Sequence, residues 1–212
     1  MGTQLEVEGW RLEQSVFATD EIARLIELLP WLGSTAGTRN LLEFQWCRDL
    51  AADPRIVALV GAGAKPIRAI LFDKNPGANW TLGWHQDTKI AVKRRADVPG
   101  FESWSEKEGV VHCRPPVSIL ESCVAARIHL DPCGSDNGAL MVVPGSHLHG
   151  FIGEVFETDA ARECTADLGD VILMKPLLLH ASSKAKSPSH RRVIHIEYCS
   201  ASLPDGLEWA YA

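Results

Sequence analysis

Short strand-like segments, each followed by residues that favour turns, recur along most of this chain. They combine β-branched and other apolar residues, and glycine, proline, asparagine or aspartate separates them. Many short strands with turn signals between them indicate antiparallel sheets that close into a barrel or stack as two layers. Asp136–Gly138 is a strong hairpin signal. The predicted strands are Trp10–Phe17, Pro66–Phe72, the segment around His85–Asp87, Ser118–Leu130, Ala139–Val143, Val171–Met174, Leu177–His180 and Arg191–Tyr198.

Helical spacing of apolar residues is confined to the N-terminal third of the chain. Thr19 to Glu21 offer capping and early acidic residues, apolar residues recur at 22, 25, 26 and 29, and Pro30 ends the pattern, which predicts a short amphipathic helix. The expected fold is mainly β with flanking N-terminal helices, in a single domain over residues 1–212, a length that fills one core. Two further helices are predicted over Leu41–Ala52 and Arg55–Gly61.

The charge and composition of the chain favour a small-molecule partner. With 46% hydrophobic and 23% charged residues, the composition is that of an ordinary globular protein. A formal net charge of -6 argues against general binding to nucleic acid or anionic membranes, which needs a basic surface. The sequence shows no charged-then-apolar signal segment, and its apolar runs are far shorter than a membrane span. Its six cysteines form no CxxC pair, so reduced thiols in a cytoplasmic protein are expected.

The motif with the clearest chemical meaning is Trp84–Asp87, in which His85 and Asp87 stand two residues apart. On an extended segment such residues project to the same side, so together they could grip one metal ion. Two similar patterns occur, His129–Asp131 and His195–Glu197. The first runs straight into a proline and is better interpreted as a strand end with a turn-forming aspartate. The second is followed by no later histidine that could complete a metal site.

A third metal ligand is expected from the segment that ends in His180. A 2-His-1-carboxylate triad needs a further histidine from a distant strand, and it leaves three coordination positions of the metal open. The apolar run Leu177–Leu179 is predicted to be a buried strand that delivers the His180 imidazole at its rim. His147 and His149 lie in a polar turn with glycine and proline. Such turns more often position histidines by backbone hydrogen bonds, so neither is expected to be a ligand.

These motifs resemble those of the phytanoyl-CoA dioxygenase family of Fe(II)- and 2-oxoglutarate-dependent oxygenases. The resemblance implies a double-stranded β-helix, or jelly roll, with helices packed outside. It also implies that His85, Asp87 and His180 bind Fe(II) at the open end, whereas phytanoyl-CoA is not implied as the substrate. The matching segments are Arg68–Asp87 (RAILFDKNPGANWTLGWHQD), Asp136–His147 (DNGALMVVPGSH) and Gly169–Tyr198 (GDVILMKPLLLHASSKAKSPSHRRVIHIEY).

The resemblance further implies where 2-oxoglutarate binds. In the family, the distal metal-binding histidine is followed two residues later by a small hydroxyl residue and eleven residues later by an arginine for the far carboxylate. Ser182 and Arg191 occupy those places, and Arg68 is a further candidate contact for the cosubstrate. A guanidinium suits this task because it is permanently charged and binds a carboxylate through two hydrogen bonds. Arg192 is the competitor, although strand alternation sends it to the opposite face from Arg191.

The implied ligand set also implies the reaction. Two neutral imidazoles and one carboxylate leave Fe(II) able to take 2-oxoglutarate and O2, and the family couples release of succinate and carbon dioxide to oxidation of a substrate. Hydroxylation, or another oxidation such as desaturation, is favoured over halogenation, for which relatives replace the carboxylate at the place of Asp87 with a small residue. A cupin-like metal-binding barrel stays open as an alternative. It would act as an isomerase, a dioxygenase independent of 2-oxoglutarate or a non-catalytic binder, and lack of the arginine partner would favour it.

Two regions are candidates for contact with the substrate. Residues 93–116 form a long polar stretch that includes Trp104, and we interpret it as a loop that acts as a lid or a wall over the metal site. In the predicted strand Cys123–Leu130, Arg127 shares a face with small residues. Such a face suits a cavity wall with one anchor for an anion. Arg127 is therefore expected to bind an acidic group of the substrate or to support the cosubstrate, unless it faces solvent.

Overall fold

Two antiparallel sheets form the centre of the protein. The structure, a computed structural model, describes residues 2–29, 37–153, 156–186 and 188–212. From edge to edge, the six-stranded sheet contains β1 (Trp10–Glu13), β11 (Val171–Met174), β8 (Cys123–His129), β13 (Arg191–Cys199), β3 (Lys65–Lys74) and β2 (Gly37–Thr38). The four-stranded sheet contains β10 (Arg162–Cys164), β9 (Leu140–Val142), β12 (His180–Ser182) and β4 (Leu82–His85).

Strand alternation directs one face of the six-stranded sheet toward the helices and the other toward the second sheet. On β8, Ala126 and Ile128 belong to the apolar cluster that contains the helices, whereas Ala125 packs with Leu140 of β9 in a cluster between the sheets. Neighbouring residues of a strand point to opposite faces, so Arg127 points into the space between the sheets with Ala125. The predicted jelly roll, mainly β with helices outside, is confirmed.

Short helices cover the outer face of the six-stranded sheet. Before the second helix, the Glu21 carboxylate accepts a hydrogen bond from the Ala18 backbone N–H at 2.8 Å, and Ile22 is fully buried. Pro30, the predicted end of this helix, lies outside the described residues. Among the described residues, no helix is long and apolar enough to cross a membrane. The helices are α1 (Gln4–Glu8), α2 (Thr19–Glu27), α3 (Gln45–Ala51), α4 (Pro54–Val60) and α5 (Val117–Glu121), with 3-10 turns at Leu41–Glu43 and Ser146–His149.

Residues 93–116 are not the long loop that the sequence suggested. Most of this stretch forms the hairpin β6 (Glu102–Lys107) and β7 (Val110–Arg114), and β7 also pairs with β5 (Ile90–Val92). The polar residues belong to a strand pair that is exposed on one side, and their abundance hid the alternation in the sequence. The stretch therefore has regular structure of its own.

Three predicted strands or turns also differ from the structure. Ser118–Leu130 begins as helix α5, and its strand starts only at Cys123. Leu177–Leu179 is a turn, because the Leu178 N–H donates to the Lys175 carbonyl at 3.0 Å, and the strand begins at His180. Asp136–Gly138 is a turn between β8 and β9, but these two strands belong to different sheets and form no hairpin.

Candidate metal centre

The segment that carries His85 and Asp87 is tied to the turn that precedes His180. Strand β4 ends at His85, and the Asp87 backbone N–H donates to the Pro176 carbonyl at 2.9 Å. The side-chain amide of Gln86 donates to the Leu177 carbonyl at 2.6 Å. These bonds bring residues that are distant in sequence to one end of the four-stranded sheet.

Strand pairing then places the two histidines face to face. His180 of β12 lies directly opposite His85 of β4 in the antiparallel register, and their ring centroids are 4.1 Å apart. The Asp87 carboxylate lies 4.0 Å from His85 Nε2 and 3.7 Å from His180 Nε2. The three residues therefore converge, as the sequence predicted from same-side projection and a late histidine.

Backbone carbonyls determine which nitrogen of each histidine can bind a metal. His85 Nδ1 lies 2.9 Å from the Gly83 carbonyl, and His180 Nδ1 lies 2.8 Å from the Leu178 carbonyl. A carbonyl only accepts hydrogen bonds, so each Nδ1 must carry the proton. Nε2 is then the nitrogen of each ring that is left to bind a metal ion, and both Nε2 atoms lie within 4.0 Å of the Asp87 carboxylate.

The electrostatics of the site keep His180 and Asp87 in the protonation states that a metal ion would require. Burial lowers the pKa of His180 to about 4, although Asp87 acts in the opposite direction. Burial alone would raise the pKa of Asp87, but His180, His195 and Arg68 outweigh it and hold that pKa below its ordinary value. At neutral pH the site thus presents a neutral imidazole and a charged carboxylate.

The geometry fits a divalent metal ion. The ligand atoms of His85, Asp87 and His180 all lie within 4.8 Å of one another. The His180 side chain is only 4% exposed, whereas those of His85 and Asp87 are 31% and 25% exposed, so one side of the group is open. Two imidazoles and a carboxylate with an open side are typical of non-haem iron sites that take further ligands.

The open side faces a cavity that lies between the two sheets. Arg191 and Ser182 line this cavity and are almost completely buried. Arg191 donates to the Gly138 carbonyl, but it has no carboxylate partner among the described residues, and its buried Nε–H donates no hydrogen bond to them. Arg192 lies on the other face and forms a two-pronged ion pair with Asp131, with distances of 2.7 and 2.8 Å. Arg191 is thus the arginine that faces the metal ligands' cavity.

A row of charged residues from the six-stranded sheet forms another wall of the cavity. Arg127 donates to His195 Nδ1 at 3.1 Å, and His195 Nε2 donates to Glu197 at 3.2 Å. Glu197 also forms a buried ion pair with Arg68. Burial and the nearby Arg191 lower the pKa of Arg127 to about 10. Arg127 therefore faces the cavity and not solvent, and its buried Nε–H has no acceptor among the described residues.

The family assignment follows from sequence comparison. Residues 37–193 match the family described as "Phytanoyl-CoA dioxygenase (PhyH)", which is most of the chain. The chain belongs to this family. As a phytanoyl-CoA dioxygenase family member, it is a 2-oxoglutarate-dependent non-haem iron oxygenase, with iron and 2-oxoglutarate as cofactors. Among curated proteins, no relative matches the chain.

Solved structures with similar folds support the jelly-roll assignment. HygX from Streptomyces hygroscopicus, with nickel and 2-oxoglutarate bound, is 16% identical, with 95% of this chain and 86% of HygX covered and a TM-score of 0.68. The non-heme alpha ketoglutarate dependent epimerase SnoN from nogalamycin biosynthesis is 19% identical, with 94% and 81% covered and a TM-score of 0.70. EctD from S. alaskensis in its apoform is 20% identical, with 93% and 75% covered and a TM-score of 0.70.

Trp104 was expected to contact the substrate, but it does not line the cavity beside His85, Asp87 and His180. Its indole N–H donates to the Phe101 carbonyl at 3.1 Å, the guanidinium of Arg95 lies 5.8 Å from its ring, and its body packs against the apolar cluster of the three-stranded sheet. No described residue of 93–116 lines the cavity beside the metal ligands. The stretch is therefore no wall of this cavity.

Sequence reasoning missed two charged residues that contact the residues lining the cavity. Lys74 lies at the end of β3, and Glu197 lies on β13. Strand parity could have identified both, because Lys74 shares its face with Arg68 and Glu197 shares its face with Arg191. The His195–Glu197 pattern resembles a pair of metal ligands in the sequence, whereas in the structure His195 partners Arg127 and Glu197 partners Arg68.

Proposed function

We propose that this family member hydroxylates a small-molecule substrate, with Fe(II) held by His85, Asp87 and His180. The observation that carries the proposal is the state of these three ligands. Among the described residues, neither imidazole Nε2 atom has a partner other than the Asp87 carboxylate, and the three residues line a cavity that is also lined by Arg191, which has no carboxylate partner there.

In this proposal the cavity residues bind 2-oxoglutarate between the metal and Arg191. Arg191 and Ser182 hold the distal carboxylate, and Arg68, whose positive charge lies close to Asp87, supports the cosubstrate at the metal end. When bound, iron and 2-oxoglutarate supply the oxidising power, with succinate and carbon dioxide as products. The chain itself orients the reactants and excludes water from the space between the sheets. With Arg191 in place, the cupin-like alternative that lacks 2-oxoglutarate is not favoured.

The substrate is proposed to be a small molecule that enters the same cavity. HygX, which shares this fold, has been solved with hygromycin B bound, so this fold accommodates organic substrates of that size. Arg127 is proposed to bind an acidic group of the substrate or to support the cosubstrate, because its side chain lines the cavity and its Nε–H has no acceptor among the described residues. Trp104 lies apart from this cavity and is not proposed to contact the substrate. A cytoplasmic location is also proposed, supported by six buried cysteines that are free of disulfides.

Anaerobic spectroscopy tests the proposed function. We expect Fe(II) and 2-oxoglutarate together, but neither alone, to produce the weak visible charge-transfer band of the chelate. Admission of O2 should then release succinate, and a screen of metabolites should identify compounds that accelerate the release. A protein that binds Fe(II) but never shows the band with 2-oxoglutarate would contradict the proposal.

A further inference from the structure

Lys74 is a buried cation with no carboxylate partner among the described residues. It is 1% exposed, and its Nζ donates to the Ser182 hydroxyl at 3.0 Å and to the Ser183 carbonyl. It lies directly opposite Arg191 in the register of β3 and β13. Two buried cations therefore lie opposite each other on paired strands, and the Ser182 hydroxyl that Lys74 contacts lines the same cavity as Arg191.

Such a pair is costly unless an anion accompanies it. A buried charge without a counter-charge loses its hydration, and a second like charge nearby adds repulsion. Burial and Arg191 accordingly lower the pKa of Lys74 to about 8. The buried Nε–H of Arg191 has no acceptor among the described residues, so a donor is also left over. The uncompensated charge of the two cations and the unused donor of Arg191 both indicate that a carboxylate binds next to Lys74 and Arg191.

We propose that Lys74 is a positioning residue and second cation for the distal carboxylate of 2-oxoglutarate, acting through Ser182. This inference rests on the proposed function. The Ser182 hydroxyl accepts a hydrogen bond from Lys74, so its single hydrogen is free to donate to a carboxylate in the cavity. Arg191 supplies the main charge, and Lys74 orients the hydroxyl and adds to the positive potential.

The surroundings of Lys74 are built to keep its ammonium in this place. The Trp80 ring lies 5.3 Å from Nζ and lines the cavity. Gly138 has a φ of +77°, and a Cβ there would lie 2.4 Å from the Ser183 carbonyl oxygen and 3.0 Å from Lys74 Nζ. A side chain at 138 would therefore displace the groups that hold Lys74. The glycine of the Asp136–Gly138 turn leaves room for the lysine.

The test compares two 2-oxo acids of equal length. 2-Oxoglutarate carries the distal carboxylate, whereas 2-oxopentanoate carries a methyl group there and chelates metal through the same 2-oxo acid end. Dissociation constants are measured by calorimetry on anaerobic, Fe(II)-loaded protein. We expect Lys74→Met to weaken 2-oxoglutarate on the order of 10- to 100-fold and to leave 2-oxopentanoate almost unchanged. Lys65→Met, at the exposed start of the same strand, should change neither constant.

Each other outcome overturns the inference. Equal weakening of both ligands would mean that Lys74 only supports the fold of β12 through Ser183, and no weakening would mean that Lys74 does not act on the cosubstrate. Lys74→Gln removes the charge but keeps a donor for the Ser183 carbonyl, so it gives the same comparison if the methionine variant fails to fold. A parent protein that binds Fe(II) but not 2-oxoglutarate would refute the proposed function, which is a separate result.

Discussion

Two groups of three potential metal ligands lie side by side and share Asp87. One consists of His85, Asp87 and His180, and the other of Asp87, His195 and Glu197. In the first group both imidazole Nε2 atoms are free of other hydrogen-bond donors and acceptors, except the neighbouring carboxylate. In the second group His195 uses both ring nitrogens, and Glu197 is paired with Arg68.

The difference shows that closeness of the right residue types does not make a metal site. A metal in the second group would have to take Glu197 from Arg68 and His195 from Arg127. Both arginines would then be buried without a partner, and breaking a buried ion pair costs roughly 3–5 kcal/mol. We infer that groups left free by the protein bind ligands, whereas groups already paired maintain the shape and charge of the cavity.

The largest effect expected from this contrast is on metal binding. His180→Ala should weaken Fe(II) binding and turnover by far more than the roughly 10- to 100-fold typical of residues that only orient ligands. His195→Ala, the matched change in the paired group, should keep Fe(II) bound. Fe(II) binding is measured as metal content after dialysis, and turnover is measured as succinate release. Full iron-dependent activity in His180→Ala, or equal loss of iron in both variants, would refute the distinction.

The next largest effect is expected at the two neighbouring arginines of β13. Arg191 lacks a carboxylate partner among the described residues, whereas Arg192 is paired with Asp131. Arg191→Gln should raise the apparent Michaelis constant for 2-oxoglutarate strongly, by roughly 2–5 kcal/mol in binding free energy. Arg192→Gln should leave that constant near the parent value and lower only the thermal stability. If Arg192→Gln raised the constant and Arg191→Gln did not, Arg192 and not Arg191 would be the arginine that binds 2-oxoglutarate.

The proposed metal ligands and the proposed cosubstrate arginine could be selected from the sequence because local geometry pairs His85 with Asp87, and the family resemblance implies the spacing of Arg191 from His180. Residues that stand two positions apart on an extended segment project to the same side. Adjacent residues of a strand, such as Arg191 and Arg192, face opposite sides. The strand predicted before His180 was wrong, since Leu177–Leu179 forms a turn whose burial gives it the same apolar composition as a strand. Composition alone does not distinguish these two environments.

Partnership between distant residues could not be predicted in this way. Glu197 faces Arg68, and Lys74 faces Arg191, only because β3 and β13 pair in one particular register with a bulge between Glu197 and Tyr198. A single sequence does not contain that register. The hairpin within 93–116 was missed for a similar reason, because its strands are recognised by their pairing and not by an apolar pattern.

Arg127 lies between the free and the paired groups, so the smallest and most specific effect is expected there. One of its nitrogens donates to His195, and its Nε–H remains unpartnered among the described residues while its side chain lines the cavity. Arg127→Met keeps most of the bulk and removes the charge. Because the metal ligands and Arg191 are untouched, we expect the variant to bind Fe(II) and 2-oxoglutarate with little change.

What Arg127→Met should lose is the coupling between succinate formation and oxidation of the substrate. If Arg127 anchors an acidic group, a substrate without that anchor lies less well placed for reaction, and 2-oxoglutarate is consumed without product. The ratio of succinate to oxidised product measures this directly, with His195→Gln as a control, because glutamine can still donate to Glu197 but offers no acceptor at the Nδ1 position for Arg127. A ratio and a substrate affinity equal to those of the parent would mean that the free donor of Arg127 binds no substrate. An unchanged ratio with weaker 2-oxoglutarate binding would instead assign Arg127 to the cosubstrate.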